Sequence, residues 1–435
     1  MDISASAPTS TAIEEASKPF PISRRYALTV FALIYCMMLS DYMSRQVLNA
    51  VFPLLKRMWV MSDSQLGSLS GVVPLMVGIL VVPLSALTDR FGRVRGITAM
   101  VSVWSIATIA CAVSSSYGEM LVARFFVGVG EAAYTAAGVA LIMGLFPKQV
   151  RATLVGAYSS GVPVGTVSGV ALGGFIAERF GWRWSFAIMA AFGLLVLVIF
   201  RCICSDKKIE KMRSGVDGFQ LTRPARGSFR KDVFSILSSR SILYAYLGCG
   251  VQAFVDASMI VWLPAFLNRY YGLGVGKSAG LAASLVICNA VGRLFCGVIS
   301  DVVSKDAPNK RWTVAIITSA GMCVIFPVAF QLHVGTLQLA MIGLGLFLSA
   351  GAIAPTAAIV TTLTPPSVYA TVIAVLTLSL NLLGSSPGPF LTGVLADKLT
   401  LQGALQVIPL FSVISVVAFV NGARHYNADR KRISE

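Results

Sequence analysis

Apolar stretches recur along this chain, and each is long enough to cross a lipid bilayer as a helix. A hydrocarbon core about 30 Å thick needs roughly 20 residues of α-helix. The bilayer offers no water to bond the backbone, and the stretches lack the alternation of barrel strands, so helices are indicated. The sequence therefore predicts an all-α membrane protein. Twelve transmembrane helices are predicted in the 435 residues, at 26–47, 65–88, 96–116, 119–146, 151–177, 182–204, 240–267, 277–300, 312–331, 336–362, 369–396 and 402–422.

Composition and charge agree with a membrane protein rather than with a soluble one. Hydrophobic residues make up 56% of the chain and charged residues only 12%, too few to cover a water-facing surface. A formal charge of +16 would suggest nucleic-acid binding in a soluble protein. Here, however, most Lys and Arg residues fall in segments on one side of the spans, as in cytoplasmic loops. We therefore predict cytoplasmic N- and C-termini and no nucleic-acid partner.

One long polar connection divides the spans into two sets of six. Residues 26–204 and 240–422 are predicted to form two six-helix halves, joined by a cytoplasmic central loop at 205–239. We interpret residues 1–25 as a disordered cytoplasmic tail and residues 423–435 as a second cytoplasmic tail. No cleavage-site pattern follows the first span, so it is expected to be a retained helix. Short loops without glycosylation sequons favour a bacterial inner membrane.

Polar residues and glycines recur between the two halves at a nearly constant offset. Two positions with matching residues would mean little, but several at one offset indicate an internal repeat, as in transporters built from two related halves. Four pairs lie 212 to 215 positions apart: Asp89 and Asp301, Arg93 and Lys305, Gly67 and Gly280, and Asp41 and Asp256.

The positions of the cysteines and histidines do not indicate a metal site or a nucleophilic site. The eight cysteines lie almost entirely in apolar spans, and none are paired at the spacing of a metal site. The two histidines, His333 and His425, fall in predicted loop or tail. We therefore expect no metal site, no cofactor and no nucleophilic catalysis, and we do not expect an enzyme.

The segment "SALTDRFGRVRG", Ser85 to Gly96, resembles the G-x3-D-[RK]-x-G-[RK] loop of the major facilitator superfamily. A second copy, "GVISDVVSK", keeps Gly297 and Asp301. The resemblance extends over the whole chain and implies two pseudo-symmetric halves of six helices that open to either side in turn. It also implies a cytoplasmic gate, although Arg90 can equally be read as a charge that only marks the cytoplasmic side. The gating residues expected by this resemblance are Asp89, Arg90, Arg93, Asp301 and Lys305.

Within that superfamily the chain is similar to the spinster-like branch and more loosely to the anion:cation symporters. The similarity rests on "RFFVGVGEAAY", "LFPKQVRATLVGAYSSGVPVG" and "GWRWSF". Both groups commonly carry an Asp-Arg pair in the first helix. This chain has Ser44 and Arg45 there, with Asp41 one turn earlier, so Asp41 is a candidate to replace that aspartate.

Charged residues inside the apolar spans are the main candidates for function. Arg124 and Glu131 are seven residues apart, so they share one helix face at a separation of about 10.5 Å. A charge buried in the bilayer costs several kcal/mol, so each should face the bundle interior and find a partner. Two roles stay open for this stripe, a structural ion-pair network and the handling of substrate and protons. Tyr134 lies one turn beyond Glu131 on the same face.

Other polar residues follow the same one-turn spacing. Pairs at i and i+4 include an acid followed by a base in the first span, the orientation that pairs well on a helix. Alternatives stay open: Arg45 could reach the interface, Arg293 could belong to the gate, and Tyr35 could pack. The proton-coupling candidates are Glu131, Asp41 and Asp256. The substrate-binding candidates are Arg45, Arg124, Tyr35, Tyr134, Gln252, Asn289, Arg293 and Asn381.

Glycine occupies every fourth position of the fifth span. Such a face lets two helix backbones approach closely. The same span resembles the antiporter signature of the superfamily, with Val170 in place of its proline. We interpret the glycines first as helix-packing residues, at Gly161, Gly165, Gly169 and Gly173.

These features favour a secondary active transporter that works by alternating access. The arginines in the spans favour a small organic anion of the carboxylate type, moved with protons by symport. The expected partners are membrane lipid, an anionic small molecule and protons, and the chain is expected to be a monomer. A proton-coupled exporter of a lysolipid-like or drug-like amphiphile is the alternative, and a transport-like sensor is a remote one.

Overall fold

The computed structural model describes residues 23–205, 239–305, 307–364 and 368–434, and this part of the chain contains helices and no strand. Twelve of its helical segments are long and apolar enough to cross a membrane. The prediction of an all-α protein with twelve membrane spans is therefore confirmed. The predicted N-terminal tail and central loop lie almost entirely outside the described residues.

The first six spans consist of eight helices. Spans four and five are each divided into two. The helices are α1 (Arg24–Trp59), α2 (Asp63–Phe91), α3 (Arg93–Val113), α4 (Tyr117–Glu131), α5 (Tyr134–Leu145), α6 (Lys148–Ser159), α7 (Gly161–Phe180) and α8 (Trp182–Ile203).

Several of the second six spans are also divided into shorter helices. Spans ten, eleven and twelve are interrupted, by a turn, a π-helix and a 3₁₀-helix respectively. The helices are α9 (Arg240–Tyr270), α10 (Val275–Val303), α11 (Lys310–Gln331), α12 (Thr336–Ser349), α13 (Ile353–Thr362), α14 (Tyr369–Ser379), α15 (Pro387–Lys398), α16 (Leu401–Val407) and α17 (Ser412–Ser434); the π-helix is Leu380–Ser385 and the 3₁₀-helix is Ile408–Phe411.

Local signals explain where several helices begin and end. Ser62 starts α2 with a capping box, in which its side chain accepts from the backbone N–H of Gln65 and the Gln65 side chain accepts from the N–H of Ser62. The first helix extends well past its predicted end at residue 47, to Trp59, because Pro53 does not end it. Helix α17 likewise continues to Ser434, through most of the segment predicted as a tail.

The bundle has two distinguishable ends. Tyr26 at the start of α1 donates to the carbonyl of Ile203 at the end of α8, at 3.4 Å. Ser239, before α9, donates to Asp429 of α17 at 2.8 Å. The first helix of each half therefore begins where its last helix ends. We call this the terminal end of the bundle and the other the opposite end.

The two halves pack tightly near the opposite end. Helix α2 packs on α15, and α7 packs on α10. Glycines permit this approach, since a Cβ on Gly67 would meet the backbone of Pro389 and one on Gly174 would meet Ala279. Near the terminal end, by contrast, α5, α6 and α13 make their principal contacts within their own halves. The structure is therefore closed at the opposite end and more open at the terminal end.

Candidate functional site

A cavity of about 280 Å³ lies between the two halves, in the middle of the bundle. Its wall combines polar side chains from both halves with apolar ones from α7, α9 and the π-helix region. The polar lining residues are Tyr42, Arg45, Gln46, Asn49, Ser70, Arg124, Thr166, Asp256, Asn289, Arg293, Thr377, Asn381 and Ser385. Five of the eight predicted substrate-binding residues line it, namely Arg45, Arg124, Asn289, Arg293 and Asn381.

An ion pair between α1 and α4 forms part of the cavity wall. Arg45 donates to Glu131 Oε2 through Nη2 and, at 3.1 Å, through Nε. The Arg45 side chain remains 18% exposed, whereas that of Glu131 is 1% exposed. Its guanidinium also lies 5.1 Å from the ring centroid of Tyr42, a favourable cation–π distance. Arg45 therefore connects the buried carboxylate to the open cavity.

Asp41 lies behind this pair. Its carboxyl group is buried one turn before Arg45 and interacts electrostatically with that of Glu131. The same-helix pair suggested by the i, i+4 spacing of Asp41 and Arg45 does not form, because Arg45 turns to Glu131 instead. Asp41 Oδ1 and Glu131 Oε1 are buried with no hydrogen-bond partner among the described residues. A single proton between the two carboxyl groups would satisfy both oxygens.

Arg124 is buried beside this pair without contacting Glu131. Its Nε donates to the carbonyl of Leu69 at 3.3 Å and its Nη2 to the carbonyl of Arg45 at 3.4 Å. Backbone oxygens of α1 and α2 thus hold its charge, and within the described part of the chain it has no carboxylate partner. Arg124 and Glu131 therefore share a helix and a buried face, but they do not pair with each other.

The second half contributes a carboxylate of its own to the cavity. Asp256 Oδ1 accepts from Asn289 Nδ2 at 2.6 Å and from Ser349 Oγ at 2.5 Å. Gln252, one turn earlier on α9, lies behind the cavity, where it donates to the carbonyl of Ser349 at 3.0 Å and accepts from Ser319 at 2.5 Å. The structure thus brings Asp256 and Asn289 to the cavity and leaves Gln252 in the packing around them.

Arg293 lies one turn after Asn289 on α10 and faces the cavity. Among the described residues it makes no hydrogen bond and no ion pair. Asn381 of the π-helix donates to the carbonyl of Thr377 at 2.9 Å and also lines the cavity. Arg45 and Arg293 therefore present two cationic groups, one from each half, to the same space.

Two predicted substrate-binding tyrosines do not line the cavity. Tyr134 is fully buried, donates to the carbonyl of Ile34 at 2.5 Å and meets Trp104 edge-on at 4.9 Å. Tyr35 stacks on Phe31 at 6.4 Å, with its hydroxyl 3.5 Å from that of Ser160. The helical spacing predicted that both tyrosines lie on polar faces. Their rings instead pack against neighbouring aromatic rings, away from the cavity.

The predicted gating residues lie at the terminal end. The side chain of Asp89 is outside the described part of the chain, and Arg90 and Lys305 are exposed. Arg93 donates to the carbonyl of Ala140 at 2.8 Å, which joins α3 to α5. Asp301, with a side chain 76% exposed, lies 3.9 Å from Arg311. These two contacts are each made within one half, and a gating role for the five residues stays a prediction.

The four glycines of the fifth span lie against α1. A Cβ added at any of the four would meet a residue of α1. The residues met are Met38 for Gly161, Tyr42 and Leu39 for Gly165, the backbone of Met43 for Gly169, and Val47 for Gly173. The first and fifth spans therefore approach at backbone distance along this face.

A polar network that the sequence did not reveal joins the two halves at the opposite end. Asp63 accepts from Lys56 at 2.6 Å and from both terminal nitrogens of Arg269, at 2.5 and 2.8 Å. Asp397 in turn accepts from the backbone N–H groups of Asp63 and Ser64, at 2.7 and 2.8 Å. We call these four charged residues, Lys56, Asp63, Arg269 and Asp397, the opposite-end latch. The only sequence signal was the capping box that begins at Ser62.

Comparison with known proteins agrees with this architecture. The model of the Major Facilitator Superfamily matches residues 34–389. The chain belongs to the major facilitator superfamily. Among its relatives within the superfamily, protein spinster homolog 3 of Danio rerio is 25% identical over 440 residues, which cover 94% of this chain and 87% of that protein. The sphingosine-1-phosphate transporter of Mus musculus is 24% identical, over 91% of this chain and 77% of that protein.

A more distant relative and two solved structures complete the comparison. The hexuronate transporter of Bacillus subtilis strain 168 is 22% identical, over 65% of this chain and 66% of that protein. The crystal structure of a bacterial homolog of the human lysosomal transporter spinster, inward-facing and unoccupied, has a TM-score of 0.84 at 23% identity and covers 94% of this chain and 99% of that one. A D-xylose-proton symporter has a TM-score of 0.72 at 16% identity, over 91% and 97%. The resemblance to spinster-like transporters is confirmed.

Proposed function

We propose that this major facilitator transporter moves a small organic anion by proton-coupled symport. The observation that carries the proposal is the Arg45–Glu131 pair on the cavity wall, with Asp41 behind it. In this mechanism, protonation of Glu131 removes the negative charge that holds Arg45. The guanidinium then faces the cavity with its donors free, and the carboxylate or phosphate of a substrate replaces the carboxylate of Glu131.

Charge balance in the buried site links the two events. An unpaired arginine in a low-dielectric site costs several kcal/mol, so protonating Glu131 without binding an anion is unfavourable. Binding an anion while Glu131 is charged is unfavourable as well, because both compete for Arg45. Proton and substrate anion therefore bind together and leave together, which is the thermodynamic requirement for coupled transport.

Other residues have proposed roles around this centre. Arg293, which makes no hydrogen bond or ion pair with the described residues, would hold a second part of the anion from the other half. Arg124 would add positive potential, and Asp41 would share the proton with Glu131. Asp256 is a second candidate proton site. The terminal end, with the predicted gate, would face the cytoplasm.

The names of two relatives support an anionic substrate. One transports sphingosine-1-phosphate and another transports hexuronate, so a phosphate in one case and a carboxylate in the other is carried by this architecture. Both groups match the bidentate geometry of a guanidinium.

A second candidate function is proton-coupled export of a lysolipid-like amphiphile. The observation in its favour is the apolar part of the cavity wall, which would accommodate a chain beside the arginines: Val162, Pro163, Ile260, Val261, Ile353 and Leu380. A headgroup phosphate would use the same arginines as a free carboxylate.

Proton flux in proteoliposomes distinguishes these functions. Vesicles that enclose a pH-sensitive dye would be challenged with sugar acids, short carboxylates and lysophospholipids in turn. We expect a sugar acid or carboxylate to acidify the interior. In Glu131→Gln, proton flux should be lost while exchange of labelled for unlabelled substrate persists. Glu119→Gln is the matched control, because Glu119 is on the same helix but exposed, and among the described residues its side chain bonds only to the loop N–H of Ser115.

Three results would change the proposal. Proton movement driven only by lysophospholipids would favour the exporter. Unchanged proton flux in Glu131→Gln would make the Arg45–Glu131 pair structural. Loss of flux in both glutamate variants would indicate a general defect rather than a proton site.

A further inference from the structure

A seven-residue pattern recurs at the end of the fifth span of each half. It reads GFIAERF at residues 174–180 and GVLADKL at residues 393–399, so each copy has a glycine, then an alanine three residues later, then an acid and a base. The first copy lies at the end of α7 and the second at the end of α15. The two acids are Glu178 and Asp397, and the side chains of both are exposed. The repeat therefore places one carboxylate of each half at the opposite end of the bundle.

Asp397 of the second copy lies at the start of α2, in the other half. Its carboxylate accepts from the backbone N–H groups of Asp63 and Ser64, the first two residues of that helix, at 2.7 and 2.8 Å. Gly393, one turn before the acid, permits the approach, because a Cβ there would collide with the carbonyl oxygen of Asp63. Asp397 thus supplies acceptors to N–H groups that have no partner within their own helix.

Glu178 of the first copy lies at the start of α10, again in the other half. Its carboxylate fits against Gly274 and Gly276, because a Cβ would lie 2.5 Å from its Oε1 at the first position and would collide with its Oε2 at the second. Gly174, one turn before the acid, permits the approach, because a Cβ there would collide with Ala279 of α10. The two copies of the repeat therefore build two interfaces of the same kind.

Both contacts bring an acid to the positive end of a helix dipole, across the boundary between the halves. A carboxylate near a helix N-terminus is stabilising, because the N–H groups there carry partial positive charge. Each contact exists only while its two helices stay together at the opposite end. Asp397 belongs to the opposite-end latch, whereas Glu178 makes its contact at the separate interface of α7 and α10. A carboxylate therefore holds each of the two interfaces that close this end.

We propose that Glu178 and Asp397 are a matched pair of gating residues, and that the opposite end opens only when both carboxylates leave the helix N-termini of the other half. Each half supplies one of the two acids, from the same place in its repeat. Release of one acid leaves the other interface closed, so both contacts control the same movement. The inference concerns the equilibrium between closed and open states, and it does not depend on the substrate or on the proton chemistry proposed for Glu131.

The rate of cysteine modification measures how often this end opens. In full-length protein in lipid nanodiscs, we would replace the exposed Cys202 by Ser and introduce Ala279→Cys, at a fully buried position that faces α7. The measured quantity is the rate of its reaction with a hydrophilic maleimide. Glu178→Gln and Asp397→Asn should each raise this rate by about two- to fivefold, the usual effect of a carboxylate at an exposed helix N-terminus. The double variant should raise it by the product of the two factors, because both acids act on one equilibrium.

A glycine variant tests the position of the Glu178 carboxylate without removing it. The methyl group of Gly276→Ala would displace this carboxylate from the start of α10, so the variant should react as fast as Glu178→Gln. Gly280→Ala is the matched control one turn later on the same helix, because its Cβ meets no atom within 4 Å. The control should react at the rate of the parent protein.

Three results would overturn the proposal. The first is an unchanged rate in both single acid variants and in the double variant. The second is an equal rise for native Cys111, which is buried within the first half and reports general loosening. The third is an equal effect of Glu119→Gln, an exposed acid at the same end that accepts from Ser115 of its own half. Should Asp397→Asn fail to fold, Glu178→Gln and Gly276→Ala decide. The assay needs no substrate and no pH gradient, so its failure is separable from failure of the proton proposal.

Discussion

The two halves of this transporter surround an equivalent buried acid with different side chains. Asp41 and Asp256 occupy matching positions in the first helix of each half, and each lies near a break, after Glu131 in the fourth span and after Ser349 in the tenth. In the first half the acid is surrounded by charged side chains. In the second half it is surrounded by neutral donors, Asn289 and Ser349.

This difference suggests that the two related halves have different roles. The charged side chains of Asp41, Arg45 and Glu131 can exchange protons and anions, because one charge can replace another at small cost when a partner moves. The Asp256 carboxylate instead accepts hydrogen bonds from an amide and a hydroxyl, which are neutral groups. Both halves thus contain a broken helix near the buried acid, but the side chains around that acid differ.

The largest expected effect comes from Arg45→Ala. It leaves Glu131 buried without its cation, a loss of about 3–5 kcal/mol for a broken buried pair. Transport should be abolished and the melting temperature should fall. The double variant Arg45→Ala with Glu131→Gln should regain much of the stability but no transport. Equal melting temperatures for the single and double variants would show that the pair does not stabilise the first half.

The opposite-end latch provides the next largest effect. Asp63→Asn weakens its hydrogen bonds to Arg269 and Lys56, and bonds to charged groups contribute about 1.5–3 kcal/mol. The closed state should lose population, so spin labels on α2 and α15 at this end should report longer distances. Lys56→Met removes only one of the contacts and should have a smaller effect. Unchanged distances in both variants would show that helix packing alone keeps this end closed.

Close packing of the first and fifth spans predicts an intermediate effect. A methyl group at Gly169 meets the backbone of Met43, which cannot move aside, so Gly169→Ala should cost about 1–3 kcal/mol. Gly280→Ala is its control in the second half, because its Cβ meets no atom within 4 Å. The control should be neutral or slightly stabilising in a thermal unfolding assay. A loss of stability in both would point to helix flexibility rather than contact.

The smallest effect separates the two acids by their response to pH. In Asp41→Asn the carboxyl group beside Glu131 is lost, and with it the group proposed to share a proton with Glu131. The pH profile of transport should therefore change in this variant. Asp256→Asn should change the pH profile less, because the hydrogen-bond donors to Asp256 are the neutral groups of Asn289 and Ser349. A larger change in Asp256→Asn than in Asp41→Asn would make Asp256 the main proton site.

Much of the architecture follows from local properties of the chain. The length and apolarity of each span do not depend on its neighbours, so twelve spans, two halves and the presence of intramembrane charges were all predictable. The ends of the spans were less predictable, as the extension of α1 to Trp59 shows, because Pro53 lies within this helix and does not end it.

Pairing between helices was decided only by the tertiary structure. Arg45 and Glu131 are 86 positions apart and Asp63 and Arg269 are 206 apart, so neither pair has a sequence spacing that reveals it. The rotation of each helix determines which polar face reaches the cavity, and packing against Trp104 keeps Tyr134 away from it. Sequence alone thus determined which residues are costly to bury. The fold decided which partner stabilises each of them, because partners meet through helix packing rather than through proximity along the chain.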